Sequence, residues 1–91
     1  MSANLRYMQS PDVVIQEFQD HAVIVNLNTK IYCRLNRTSL DIWRATQVPK
    51  TIIELAALIK EQYDMVSDTL ETDIEFAVEE MLKNEFLIQA L

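Results

Sequence analysis

The feature that most constrains this chain is a single change of hydrophobic period, at Leu35-Asn36. Before it, apolar residues fall in short runs that alternate or are rich in β-branched side chains, the period-2 signature of strands. Pro11-Asp12 opens the run Val13-Val14-Ile15-Gln16-Glu17-Phe18, and Gln19-Asp20-His21 is a polar turn. Ala22 to Leu27 is a second strand, followed by a turn at Asn28-Thr29-Lys30, with Asn28 the expected left-handed position. Ile31-Tyr32-Cys33-Arg34-Leu35 is a third, with Ile31, Cys33 and Leu35 on one face and Tyr32 and Arg34 on the other. Short turns between consecutive strands predict an antiparallel meander.

After Leu35 the apolar positions follow helical spacing. Asn36 is placed to cap a helix through Thr38, Leu40, Trp43 and Ala45, and Pro49 ends it. Thr51-Ile52-Ile53-Glu54 fits a capping box, and Ile52, Leu55, Ala56, Ile59 and Tyr63 form the stripe of a second helix. Asp64-Met65-Val66 is a connector. Ser67 is the expected cap of a third helix, whose stripe is Leu70, Ile74, Ala77, Val78 and Met81, with Leu82 alongside. Asn84 stands where a terminating glycine is common, and Phe86, Leu87 and Ile88 are expected to fold back on the core. The order is βββααα, an α+β fold in which a three-stranded antiparallel sheet precedes a three-helix bundle. Residues 1–10 show no period and are expected to be a flexible arm before one domain over 11–91.

Composition narrows function mainly by exclusion. The chain of 91 residues contains no glycine, so the glycine loops that cradle phosphates or dinucleotides are excluded. With 14 acidic against 8 basic residues and a net charge of −6, the chain is poorly suited to nucleic acid or anionic lipid. No apolar run reaches the length of a membrane span and no secretory signal is evident, so a cytoplasmic location is expected. A single cysteine, Cys33, forms no internal disulfide.

No residue pattern builds an active site, so the chain is expected not to be an enzyme and to need no cofactor or metal. Cys33 has no activating neighbour in sequence and reads as a small core or groove residue. His21 lacks the paired spacing of a zinc site, and Asp73, Glu79 and Glu80 lack the rigid loop of a calcium site. Ser39 and Ser67 fit helix starts. Binding is better supported. If the third strand is a sheet edge, its backbone can accept a strand from another chain, with Leu70, Ile74 and Ala77 of the third helix as a wall and Asp73 beside them.

The middle of the chain resembles the PqqD-like family, the leader-recognition domains of ribosomal peptide natural-product (RiPP) pathways. The matching pieces are Asn-Leu-Asn-Thr-Lys-Ile-Tyr at 26–32, Leu35-Asn36 followed by Ile42-Trp43, and Pro49-Lys50-Thr51-Ile52-Ile53-Glu54-Leu55. Glu61-Gln62-Tyr63-Asp64 and the stretch from Asp73 to Leu82 complete the set. Family members often carry glycine near positions 30 and 84, where this chain has Lys30 and Asn84. The resemblance implies a winged helix-turn-helix-like fold and a non-enzymatic role. It further implies that the leader of a precursor peptide adds as a strand between the third strand and the third helix. The implied groove is Ile31, Tyr32, Cys33 and Arg34 facing Leu70, Asp73, Ile74 and Ala77. The implied partners are the precursor peptide and a modifying enzyme or leader peptidase, in a lasso-peptide or a radical-SAM pathway. The alternative is a winged helix-turn-helix DNA-binding regulator. Arg34, Arg37 and Arg44 favour it, whereas Asp68, Glu71, Asp73, Glu75, Glu79 and Glu80 on the third helix oppose it against a lone Lys83.

Overall fold

The computed structural model describes residues 4–63 and 69–90. Its elements are β1 (Arg6–Gln9), β2 (Val13–Glu17), β3 (Ala22–Asn26), β4 (Tyr32–Leu35), α1 (Arg37–Ala45), α2 (Ile52–Gln62), α3 (Leu70–Lys83) and β5 (Leu87–Ala90). The expected meander is present: an antiparallel sheet in the order β2-β3-β4, followed by three helices. β4 is the expected third strand and forms one edge. Alternation orients the sheet. Ala22, Ile24 and Leu35 are buried against the helices, while Val14, Val23, Tyr32 and Arg34 face outward. The helical stripes supply the rest of the core: Leu40, Ile42 and Trp43 from α1, Ile52, Leu55, Ala56 and Ile59 from α2, and Ile74, Val78 and Met81 from α3. Each buried Leu, Ile, Val or Met side chain among them contributes about 1.5–3 kcal/mol relative to exposure.

The capping signals act as their residue types dictate. Asn36 Oδ1 accepts the Ser39 amide at 2.9 Å. The Thr51 hydroxyl accepts the Glu54 amide, and the Glu54 carboxylate accepts the Thr51 amide. The amide holds the Glu54 carboxyl below its ordinary range. The expected Ser67 cap and the connector at Asp64-Met65-Val66 lie outside the described residues.

Three local expectations are corrected. First, Arg6–Gln9 is not a loose arm but a strand paired antiparallel with β5, Tyr7 opposite Gln89. Tyr7 is fully buried and exchanges both backbone bonds with Lys50, which ties the chain's start to the α1–α2 connection. This ribbon also brings Phe86 and Leu87 into the core, whereas Ile88 stays partly exposed. Second, the left-handed residue of the β3–β4 turn is Lys30 (φ 67°), not Asn28. Asn26 Oδ1 accepts the amides of Asn28 and Thr29, which winds the loop right-handed until Lys30 reverses it. Third, the left-handed residue after α3 is Glu85 (φ 59°), one place beyond Asn84. The Glu85 amide donates to the Leu82 carbonyl and the Phe86 amide to that of Met81, the paired bonds of a Schellman turn.

Candidate functional site

With β3 on one side only, β4 presents its other backbone edge to a groove of about 600 Å³. Cys33, Arg34 and Leu35 form one bank, Asn36, Thr38 and Ser39 at the start of α1 close one side, and α3 forms the facing wall. The wall residues are Asp73, Phe76, Ala77, Glu80, Met81 and Asn84, which recur at the three- and four-residue spacing of one helix face. Phe86 lies beneath, placed there by the Schellman turn.

One buried side chain braces both banks. Asn26, only 2% exposed, holds the β3–β4 turn through Oδ1 and donates from Nδ2 to the Glu85 carbonyl at 2.6 Å. The hairpin that ends in β4 is thereby fastened to the turn that ends α3.

Of the residues expected at the site, Cys33, Arg34, Asp73 and Ala77 line this groove together. Ile74 does not. It is fully buried in the core, one helical position round from the wall. Leu70 packs half-buried against the core at the start of α3. Ile31 lies just before β4, its carbonyl accepting the Asn26 amide, and Tyr32, 73% exposed, lies on the outer sheet face. Leu35, Asn36, Thr38, Ser39, Phe76, Glu80, Met81, Asn84 and Phe86 were not anticipated. Phe76 carried the clearest signal, because a large aromatic off the core stripe of an amphipathic helix has no burial to explain it. It is 65% exposed.

Burial pushes the Cys33 thiol up, which favours the neutral thiol over the nucleophilic thiolate. The lining holds no histidine, and no cluster of three or more metal-ligating side chains exists among the described residues. Asp73 accepts the Thr69 hydroxyl at 3.2 Å, while Glu80 is exposed. A smaller cleft of about 260 Å³ lies between α1 and α2, where buried Asp41 accepts the Tyr63 hydroxyl at 2.5 Å. Among the described residues, no helix is long and apolar enough to cross a membrane.

Comparison with known proteins agrees with this architecture. No curated protein sequence matches the chain. Among solved structures, TbiB1 in complex with the TbiA(beta) leader peptide superposes with a TM-score of 0.76 at 25% identity, covering 88% of this chain and 93% of that one. The family described as coenzyme PQQ synthesis protein D (PqqD) matches residues 21–87, from the start of the β3 strand through α3 to the first residue of β5. The chain therefore belongs to the PqqD family.

Proposed function

We propose that this protein binds the leader region of a ribosomally made precursor peptide as an added strand beside β4, and presents it to a maturation enzyme without itself catalysing a reaction. The carrying observation is that β4, paired with β3 on one side, presents its other edge across a groove of about 600 Å³ to the α3 wall. The likeness to TbiB1, a structure solved with a leader peptide, supports the same ligand class here. Several main-chain hydrogen bonds contribute about 0.5–1.5 kcal/mol each. Two or three buried leader side chains add about 1.5–3 kcal/mol each. Set against association and ordering costs, this is compatible with micromolar affinity, about −8 kcal/mol.

The enzyme that receives the peptide is a leader peptidase or a radical-SAM maturase, and the cytoplasm is the compartment that suits a chain with one cysteine. The DNA-binding alternative is disfavoured by α3, which exposes Glu71, Asp73, Glu79 and Glu80 where a groove-reading helix needs positive charge.

Titration with the TbiA(beta) leader peptide tests the site by backbone NMR. Shifts are expected to concentrate in residues 30–35 and 69–84. Ala77→Trp is expected to fill the groove and abolish them. Shifts centred on residues 13–18 would place the peptide on the other sheet edge and overturn the proposal. Mass spectrometry of the incubated peptide should find it chemically unchanged.

A further inference from the structure

The groove is polarised across its width, and the polarity alternates with the direction a peptide side chain points. On an added strand, successive side chains face opposite sides of the sheet. Those pointing inward, on the face of Cys33 and Leu35, meet the α3 wall, where Asp73 and Glu80 flank Ala77 and Phe76. Those pointing outward lie beside Tyr32 and Arg34, both exposed on the opposite face of β4. Among the described residues, the α3 bank of the groove therefore carries two carboxylates and no cation: its other lining residues are Phe76, Ala77, Met81 and Asn84. The outer face of β4 carries the cation. The spacing also fits. Asp73 and Glu80 are seven helical residues apart, about 10.5 Å at 1.5 Å per residue. Inward strand positions four residues apart are about 13 Å apart, within the reach of two lysine side chains that bracket a central apolar residue over Ala77.

Resting on the proposed strand addition, we propose that the groove selects peptides by charge position. It prefers basic residues at inward positions, on either side of an apolar one, and acidic residues at the intervening outward positions. Net charge of the peptide is not the criterion. Two peptides of identical composition differ in affinity when their charges exchange faces.

The test uses two synthetic nonapeptides, Val-Ser-Lys-Glu-Leu-Glu-Lys-Ser-Val and Val-Ser-Glu-Lys-Leu-Lys-Glu-Ser-Val. In both, the valines and the leucine share one face and fix which side points inward. Each competes against the labelled TbiA(beta) leader peptide in fluorescence anisotropy, at low and high salt. The first is expected to bind about tenfold or more tightly than the second, the equivalent of about 1.4 kcal/mol. The gap should shrink as salt screens the exposed pairs. Asp73→Lys with Glu80→Lys should invert the preference. The milder Asp73→Asn with Glu80→Gln, which keeps the side-chain shapes, should level it. Equal affinity of the two peptides, a preference for the second, or failure of both to compete while the leader binds would each overturn charge selection and leave strand addition standing. Failure of the leader itself to bind wild-type protein would remove the site and the selection with it.

Discussion

Replacing Asn26 tests whether one buried side chain holds the two banks of the groove together. Asn26→Ala removes two acceptor contacts to the turn amides, at 2.8 and 3.1 Å, and the donation to Glu85 at 2.6 Å. At about 0.5–1.5 kcal/mol net for each bond, the simple sum is roughly 1.5–4.5 kcal/mol. Asn28 is exposed, so its freed amide regains water. The Glu85 carbonyl loses its partner beside a buried position, which keeps the cost from falling to the lower end. We expect about 2–4 kcal/mol, against a total stability of roughly 5–14 kcal/mol for a domain this size. At about 4–8 °C per kcal/mol, the melting temperature should fall by roughly 8–32 °C. Asn26→Asp separates the two halves of the effect, because it retains both acceptor contacts but sets a carboxylate oxygen against the Glu85 carbonyl. If the strut to Glu85 dominates, Asp is nearly as harmful as Ala; if the turn dominates, Asp is mild. Thermal and urea unfolding followed by circular dichroism measure both variants. An Asn26→Ala protein within about 0.5 kcal/mol of wild type would refute the bracing argument.

Lys30→Gly and Glu85→Gly should each stabilise the fold by about 0.5–1 kcal/mol. Both positions are left-handed, which costs a non-glycine residue about 1–2 kcal/mol, part of which glycine's greater chain entropy takes back; unchanged urea midpoints would contradict this. Tyr7→Phe should raise stability by about 1 kcal/mol, because the Tyr7 hydroxyl is buried with no hydrogen-bond partner among the described residues; a lower melting temperature would mean the hydroxyl is satisfied. The Glu54 carboxyl titrates below its ordinary value of 4.5 because the Thr51 amide stabilises its charged form. Its contribution is therefore complete above that value and lost as pH falls through the lower folded one. Melting curves from about pH 3 to 7 should show Glu54→Gln losing less stability on acidification than wild type; parallel curves would exclude the linkage.

What the sequence displayed and what it concealed divide along the range of the interactions involved. The meander and the three helices rest on period, caps and turns within a few residues of one another, so Asn36, Thr51 and the strand alternation were all legible. β1 depends on β5, with Arg6 opposite Ala90, and neither segment carries a period that points to the other. Tyr7 looked like part of a flexible arm because its burial is supplied by the far end of the chain. The turn assignments failed differently. In a chain without glycine the expected left-handed residues were the asparagines, yet hydrogen bonds decided otherwise: Asn26 wound the hairpin loop so that Lys30 closed it, and the register of α3 moved the reversal onto Glu85. At the site, apolar spacing alone could not separate residues facing the core from those facing the groove. Ile74 and Ala77 share a stripe in sequence, but the packing of α2 against α3 buries the first and leaves the second on the wall.

Why, under the proposed strand addition, one sheet edge rather than the other would receive the peptide is a question the strands themselves do not answer. Both β2 and β4 are edges, and any edge offers backbone donors and acceptors to an incoming strand. Main-chain hydrogen bonds contribute about 0.5–1.5 kcal/mol each. Four or five of them, about 2–7.5 kcal/mol in all, cover only the lower part of the roughly 4–15 kcal/mol that association costs, so buried apolar surface has to supply the rest. No β2 residue lines the large groove, and the end of β2 is occupied by Glu17, which accepts hydrogen bonds from Arg44 of α1. At β4 the same bonds form in front of Phe76, Ala77, Met81 and Phe86, so each inward side chain of a peptide adds burial to bonding. On that proposal, edge choice is a property of α3, and of the turn that fixes where α3 ends. A chain that kept β4 intact but displaced α3 by loosening Asn26 or Glu85 would retain an open edge and lose the reason for a peptide to use it.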